Sequence, residues 1–438
     1  MAAYLLVREV QVNESEALAA AVARTWPSVL EMIAPCELNA FESNVLTALR
    51  SLEGSEEPDS APLRYELAAL FDGDPSLRQR LLEEFNALDP GWESSGSNGS
   101  LPGSVAYLRS LIVPVFFATD RARTSDNAGE VAFGGLRGEL TYGKTLIGIP
   151  DDHRIGTLEK PRPFRLRFRA SPAKDVLVGS TSQRDPNGFA EEARTLLSHT
   201  PDKQALIFVH GYNVGFSDAS VRAAQIAYDL NFSGCTMLYS WPSRGGVLSY
   251  REDENNARWT VRNFQEFLRF VLTEAGVEVA HIVAHSMGNR VVAEALAQFD
   301  TTMLPESSGR LGEVIFAAPD IDSSVFRQLA PAIVEQARGC TLYASSKDLA
   351  LKVSYKLAGY ARAGQSGDGI VVVDGVHTID ATGLDTGLLG HSYLGDRRSI
   401  LSDIYSLLNH GHHPSQRFGL KAVQASHGPY WAFQADKR

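Results

Sequence analysis

The sequence has few cysteines and no long apolar segment. Its three cysteines, Cys36, Cys235 and Cys340, lie far apart and are odd in number, which excludes a disulfide framework and the close ligand spacing of a zinc site. No apolar run approaches the roughly 18 residues of a membrane-spanning helix. A secretory signal requires basic residues before its apolar stretch. The N-terminal MAAYLLVREV has none before its short apolar stretch. We therefore expect a cytoplasmic protein without a transmembrane segment.

Lysine is missing from the first 90 residues, and most of the net negative charge of the chain lies there. Residues 1–90 contain six arginines and sixteen acidic residues, a net charge of −10, whereas the whole chain carries −11. An acidic surface repels phosphate backbones and favours basic proteins, so we expect no nucleic-acid partner. The sequence also lacks metal-ligand spacings and a glycine-rich phosphate loop after a strand, so no metal and no organic cofactor is expected.

Four regions are predicted along the 438 residues. Residues 1–90 are predicted to form an acidic helical module, because apolar residues recur there at helical spacing after capping residues such as Asp74. Residues 91–104 are mostly Gly, Ser and Asn, which is typical of a flexible linker. Residues 105–410 are predicted to be one large α/β domain, and residues 411–438 an irregular C-terminal tail.

The large domain shows the alternation of an α/β fold. Short β-rich runs before residue 180 indicate strands at a sheet edge. From about residue 205, apolar strands alternate with amphipathic helices, which predicts a mostly parallel sheet flanked by helices. The helices that matter below are expected near residues 217–230, 255–275, 288–299, 322–337 and 397–409. The predicted fold class is thus an α/β fold preceded by a small all-α domain.

A candidate nucleophile lies between a predicted strand and a predicted helix. Ser286 is the centre of Ala284-His285-Ser286-Met287-Gly288. A nucleophile elbow needs small residues two positions before and after the serine, because the chain reverses so tightly that larger side chains clash. The usual G-x-S-x-G pattern has Gly where this chain has Ala284, whose single methyl is tolerable.

A serine hydroxyl needs a base, and the base needs an acid to orient it. In α/β-hydrolases the chain order is Ser, acid, His. His391 lies on a glycine-rich loop after the last predicted strand and is the favoured base. The other histidines after the elbow lie in a predicted strand or in the tail and are expected to be packed or surface residues: His377, His410, His412, His413 and His427.

Three aspartates compete for the role of acid. Asp348 follows the strand TLYASSKD and is favoured, because a loop there can approach His391. Asp320 and Asp322, in AAPDID one strand earlier, are the alternatives. Each of the three also suits a helix N-cap.

Two backbone N–H groups are needed for the oxyanion of the tetrahedral intermediate. Met287, directly after the nucleophile, is assigned the first donor, and Tyr212, in His210-Gly211-Tyr212-Asn213 after the strand ALIFV, the second. His210 is weighed as a base, but a structural role is favoured because it precedes the nucleophile and lies in this turn.

These segments together resemble a known family. HGYN, SWPS at residues 240–243, AHSMGN, AAPDID, ASSKD and GHSY are similar to a bacterial family of α/β-hydrolases catalogued as a domain of unknown function, with a predicted Ser, Asp, His triad. The resemblance runs from about Val113 to about Leu408. It implies an α/β-hydrolase fold for the domain at residues 105–410 and hydrolase chemistry, and it supports Ser286, Asp348 and His391. It implies no substrate.

The resulting prediction is a serine hydrolase, carboxylesterase-like or lipase-like, that transfers an acyl group from an ester to water. The substrate is expected to be a small-molecule or lipid ester. Residues 1–90 resemble the helical adaptor modules that precede bacterial effector enzymes, so a protein partner is expected to bind through this acidic module. Two alternatives remain open: a lipase or phospholipase acting on membrane lipids, and a hydrolase-fold interaction protein recruited by the module.

Overall fold

The computed structural model describes residues 110–125, 131–150, 153, 176–244, 249–347, 360–382, 384, 397–425 and 428–433. The predicted helical module and linker lie outside the described residues, as do Asp348 and His391. The chain divides into two compact units. One consists of residues 1–112, 148–152 and 160–177, and the other of Val113–Ile147, His153–Glu159 and Val178–Arg438. The candidate site is built from the second unit.

One sheet of eleven strands carries the fold. The strands are β1 (Ser110–Ser125), β2 (Val131–Pro150), β3 (Leu177–Arg184), β4 (Gln204–Val209), β5 (Cys235–Ser240), β6 (Val279–His285), β7 (Arg310–Ala317), β8 (Ala337–Ala344), β9 (Val376–Asp380), β10 (Leu420–Ala425) and β11 (Gly428–Phe433). Their order across the sheet is β10-β11-β9-β8-β7-β6-β4-β5-β1-β2-β3. β1, β2 and β3 lie together at one end, which confirms the edge strands predicted before residue 180.

Among the described residues, seven α-helices lie between strands in the chain. They are α1 (Pro186–Ser198), α2 (Phe216–Asp229), α3 (Tyr250–Trp259), α4 (Val261–Glu274), α5 (Gly288–Ala297), α6 (Ser323–Val334) and α7 (Arg397–His410) among the described residues. None of them is long and apolar enough to cross a membrane.

The centre of the sheet is parallel and buried. β4 pairs in parallel with β5 and β6, and the parallel pairing continues through β7 and β8 to β9. Most residues of these strands are buried, as in β5 (CTMLYS), where every residue is buried. Helices that cover both faces of a parallel sheet produce this pattern. The predicted mostly parallel sheet flanked by helices is therefore confirmed.

The single helix predicted near residues 255–275 is two helices. α3 ends at Trp259 and α4 begins at Val261, with the fully buried Thr260 between them. The Thr260 hydroxyl bonds the hydroxyl of Tyr239 at 2.6 Å and also bonds the carboxylate of Asp120. These partners come from β5 and β1, so apolar periodicity along the chain gives no sign of the break.

The prediction of an irregular tail over residues 411–438 is wrong. β10 and β11 form an antiparallel hairpin, and β11 adds to the sheet in parallel beside β9, with Trp431 paired to Ile379. Most residues of β10 are exposed or half-buried. Its sequence LKAVQA therefore shows little of the apolar alternation from which a strand is recognised.

Candidate active site

Ser286 occupies the sharp turn between β6 and α5. Its φ angle is 50°, in the left-handed region that non-glycine residues rarely adopt. The turn is held by backbone hydrogen bonds: Ser286 N–H donates to the carbonyl oxygen of Ala317 at 3.0 Å, and the Ser286 carbonyl accepts from the N–H of Asn289 at 3.2 Å. A strained serine between a strand and a helix is the geometry of a nucleophile elbow.

The positions two residues on either side of Ser286 are tightly enclosed. A Cβ added to Gly288 would lie 2.3 Å from the carbonyl oxygen of His210, so only glycine fits there. Ala284 is fully buried in β6, paired with Val209 of β4. Its methyl is accommodated inside the sheet, which explains how the chain departs from G-x-S-x-G at this position.

The residues His210–Val214, which we call the HGYN loop, follow β4 and pass directly beside the elbow. A Cβ added to Gly211 would lie 2.9 Å from the Ser286 Cβ and 3.1 Å from the His285 Nδ1. Glycine is therefore required for this close approach. The backbone of the HGYN loop thus comes close enough to Ser286 for one of its N–H groups to serve a reacting carbonyl there.

The two oxyanion donors predicted from the sequence come from the two segments that meet here, the start of α5 and the HGYN loop. Met287 occupies the N-cap position of α5, where helical backbone N–H groups have no partner within the helix and the helix dipole favours negative charge. Tyr212 is half-buried in the HGYN loop, and its ring packs against that of Tyr250 with centroids 5.5 Å apart.

His210 is held by contacts at both ring nitrogens. Its Nδ1 lies 2.7 Å from the carbonyl oxygen of Gly211, which only accepts, so Nδ1 carries the proton. Its Nε2 lies 3.1 Å from an NH2 nitrogen of Arg121, which only donates. Burial and the nearby Arg121 charge hold the pKa of His210 well below its usual range. His210 is thus a neutral structural residue, as the sequence favoured.

His285, the neighbour of Ser286, also stays neutral. Burial, together with the charge of Arg222, lowers its pKa to about 3. Neither His285 nor His210 therefore takes up a proton readily near neutral pH.

The carboxylate of Asp320, one of the alternative acids, pairs with two arginines. Asp320 lies in the PDID turn (Pro319–Asp322) after β7, and its backbone N–H donates to the Ser286 carbonyl at 3.1 Å. Its carboxylate accepts from the Tyr250 hydroxyl at 2.7 Å and pairs with Arg362 at 3.2 Å and Arg290 at 3.5 Å. Two guanidinium groups at one buried carboxylate disfavour an additional imidazolium.

Asp322, the other alternative acid, caps a helix. Its Oδ1 accepts from the N–H groups of Ser324 at 2.7 Å and Val325 at 3.2 Å, at the first turn of α6. This is the N-cap role that its position in the sequence suggested.

The favoured acid and base, Asp348 and His391, lie outside the described residues. The strands that precede them in the chain are β8 and β9, which pair in parallel with each other, while β8 also pairs in parallel with β7. The carboxyl ends of β8 and β9 therefore lie at the same edge of the sheet as the elbow. The described chain beyond β8 ends at Lys347.

Comparison with known proteins agrees with this geometry. The model of a family described as an alpha/beta hydrolase of unknown function (DUF900) matches residues 186–406. The chain belongs to this family. A search of curated proteins gave no match. The family resemblance drawn from the sequence is thereby confirmed, although the match begins at residue 186, beyond the strands β1 to β3.

Sequence reasoning did not identify two buried charged residues beside this site: Arg121, which precedes the matched residues, and Asp253, which lies within them. Arg121 ends the apolar run LIVPVFFATDR in β1, and Asp253 lies in the polar helix α3, yet both bond the HGYN loop. A charged residue directly after an apolar run was the one available signal for Arg121. Among the described residues, no group of three His, Cys, Asp or Glu side chains could hold a metal ion.

Proposed function

We propose that this α/β-hydrolase is a serine hydrolase that cleaves an ester by acyl transfer to water. The observation that carries the proposal is the backbone of Ser286, held at a φ of 50° between β6 and α5, with Gly211 of the HGYN loop packed against its side chain. Strain of this kind persists where the surrounding structure maintains it for chemistry.

The proposed nucleophile is Ser286, with His391 as base and Asp348 as the acid that orients His391. The chain order Ser, Asp, His is that of α/β-hydrolases. Each residue follows a parallel strand, β6, β8 and β9, whose carboxyl ends share one edge of the sheet. The occupation of Asp320 by Arg290 and Arg362 further favours Asp348.

The reaction follows from these roles. The Ser286 hydroxyl oxygen attacks the ester carbonyl while its proton passes to His391, and the carbonyl oxygen becomes an oxyanion that accepts hydrogen bonds from the N–H groups of Tyr212 and Met287. The C–O bond to the alcohol then breaks, and His391 returns the proton to the leaving oxygen. A water molecule, activated by His391, attacks the acyl-enzyme in the same way and releases the acid and free Ser286.

The choice of Tyr212 is supported by the engagement of its neighbours. The Asn213 N–H donates to the Asp253 carboxylate at 3.2 Å, and the Val214 N–H donates to the Ser243 hydroxyl at 3.3 Å. These two donors are committed elsewhere and are not available to an oxyanion.

Ser286→Ala tests the assignment. We expect the variant to lose labelling by a fluorophosphonate probe and to lose hydrolysis of p-nitrophenyl esters by several orders of magnitude, with a melting temperature near that of the wild type. Ser220→Ala, which changes a buried helix serine bonded to the Phe216 carbonyl, is the matched control and should remain labelled. Activity within about tenfold of wild type in Ser286→Ala would contradict the nucleophile.

A panel of p-nitrophenyl esters of graded chain length separates the remaining substrate classes. A carboxylesterase prefers short acyl chains in solution, whereas a lipase gains activity when long chains form an interface. A protein with no labelling and no hydrolysis of any ester would contradict the hydrolase assignment.

A further inference from the structure

The HGYN loop is bonded at both of its ends to buried charged groups. The catalytic requirement on such a loop is strict, since an oxyanion donor must lie within a few tenths of an ångström of its position to stabilise the transition state. The loop itself is short and includes Asn213 at a φ of 57°, a left-handed conformation that asparagine adopts more readily than most residues other than glycine. Contacts from outside the loop hold it.

Arg121 supplies the first set of contacts. The residue is 2 % exposed, and each of the five N–H donors of its guanidinium group has an acceptor. The acceptors are the Ser240 hydroxyl at 2.8 Å, the carbonyl oxygens of Gly134 at 3.1 Å, Ser243 at 2.9 Å and Val214 at 2.7 Å, and the His210 Nε2 at 3.1 Å. Two of the five are thus the first and last residues of the HGYN loop.

None of these five acceptors is a carboxylate, so the charge of Arg121 is used to orient neutral groups. Burial lowers its pKa to about 10, while the nearby charges of Asp120 and Asp253 oppose that shift. Arg121 therefore keeps its proton at neutral pH, and its planar fork fixes the directions of all five bonds.

Asp253 supplies the second set. It is fully buried in α3, and its carboxylate accepts from the Asn213 N–H at 3.2 Å, the Ser243 hydroxyl at 2.6 Å and the Arg244 N–H at 2.8 Å. Ser243 joins the two sets, because its hydroxyl binds Asp253 and Val214 while its carbonyl accepts from Arg121.

We propose that Arg121 and Asp253, linked through Ser243, are positioning residues of the oxyanion hole: they hold the HGYN loop at the distance from Ser286 that the Tyr212 N–H needs. The role rests on the proposed serine hydrolase function. Neither residue touches the substrate. Both act through the backbone of the loop.

The test is the kinetics of Asp253→Asn, Ser243→Ala and Arg121→Lys in the full chain. Asp253→Asn keeps the shape of the side chain, and Arg121→Lys keeps the charge but loses the fork. We expect kcat for p-nitrophenyl acetate to fall about 10- to 100-fold in each variant, with KM changed by less than about threefold, because a displaced donor weakens only the transition state.

A thionoester analogue reports on the oxyanion hole itself. Its sulfur accepts hydrogen bonds weakly, so the wild type should prefer the oxygen ester strongly, and the variants should lose most of that preference. A variant that is merely less well folded would lower both rates equally and keep the ratio. If Arg121→Lys does not fold, Asp253→Asn and Ser243→Ala decide the question.

Asp120→Asn is the matched control. Asp120 is as buried as its neighbour Arg121, but its carboxylate bonds Tyr239, Thr260 and Asn263, away from the HGYN loop. We expect this variant to keep the oxygen-to-sulfur ratio and a kcat near that of wild type, with a lower melting temperature.

Two outcomes would overturn the proposal in distinguishable ways. A wild-type kcat and ratio in Asp253→Asn and Ser243→Ala, in a protein that a fluorophosphonate labels at Ser286, would show that the loop does not need these contacts. A wild-type protein that is neither labelled nor active would remove the proposed function, and the positioning role with it.

Discussion

Two segments contact the elbow at Ser286, and buried charged residues hold each of them in a different way. The HGYN loop is bonded by the buried cation Arg121 through backbone carbonyls and a neutral ring. In the PDID turn, by contrast, a buried carboxylate, Asp320, accepts from a tyrosine and pairs with two arginines. A cation whose hydrogen bonds go to backbone carbonyl oxygens fixes the position of that backbone. A carboxylate that is occupied by arginines is not available to orient a histidine.

The largest effect is expected from substituting the proposed acid, Asp348, in comparison with substituting Asp320. If the comparison holds, Asp348→Asn lowers kcat on the order of 10⁴-fold, as loss of the orienting acid does in a triad, with little change in melting temperature. Asp320→Asn should instead lower stability by roughly 3–5 kcal/mol, because it breaks a buried ion-pair cluster. Turnover and thermal unfolding of both variants check this.

Asp322→Asn is the control for that pair, since asparagine is also a good N-cap and should change little. A large loss of kcat with unaltered stability in Asp320→Asn would reverse the comparison and move the acid to the PDID turn.

A smaller effect is expected from adding one methyl group to the HGYN loop. In Gly211→Ala the new Cβ would lie 2.9 Å from that of Ser286, so the loop must move away. We expect kcat to fall about 10- to 100-fold, as small displacements of catalytic groups do.

Gly215→Ala is the matched control for the loop, because an added Cβ meets nothing within 4 Å at that position, one residue beyond the loop. Equal kcat values in the two variants would mean that the approach of Gly211 to Ser286 is not needed for turnover.

The next prediction concerns the free energy of unfolding and a residue that lies outside both segments. His281, near the start of β6, is buried, and this lowers its pKa to about 4, below the value of about 6.5 in an unfolded chain. The unfolded state therefore binds more protons between these values, so stability is lost as the pH falls from about 6.5 towards 4.

The expected contribution of His281 to this loss is on the order of 2 kcal/mol between pH 7 and pH 5. His281→Asn keeps an acceptor for the Glu313 N–H, which bonds the His281 Nδ1 at 3.0 Å. Urea unfolding at the two pH values should show a smaller loss for this variant than for wild type. An identical pH dependence would exclude His281 as the titrating group.

The smallest effect is expected from removing the acidic N-terminal residues. No residue before 104 takes part in the proposed triad or oxyanion hole, so a chain that starts at Gly103 should hydrolyse small activated esters within about twofold of the full-length rate. Comparison of the two purified proteins measures this. An insoluble or inert shorter protein would show that these residues belong to the hydrolase unit.

The sequence allowed the sheet, the helices around it and the elbow to be predicted, because these depend on local patterns. Apolar strands of β4 to β8 and the small residues at 284 and 288 are visible within short windows. Short sequence patterns did not decide whether Asp320 or Asp348 is the acid. The choice depends on Arg290 and Arg362, which lie on either side of Asp320 in the chain and reach it only in the folded state.

Sequence patterns also failed to identify Arg121, because its contacts form only in the folded chain. Its partners in the HGYN loop lie about 90 positions later in the chain, and no motif connects them. The hairpin of β10 and β11 was missed for a different reason, since strands with exposed residues carry little apolar alternation. The patterns thus predict where strands run, and tertiary contacts decide which polar residues they bring together.

The position of β11 has a consequence for synthesis. β9 pairs with β8 on one side and with β11 on the other, yet β11 begins only at Gly428. While the ribosome adds the intervening residues, β9 has one neighbour and an open edge, at which unpaired backbone groups can join another chain. A nascent chain stopped between Asp380 and Gly428 is therefore expected to aggregate more readily than one that has passed Phe433.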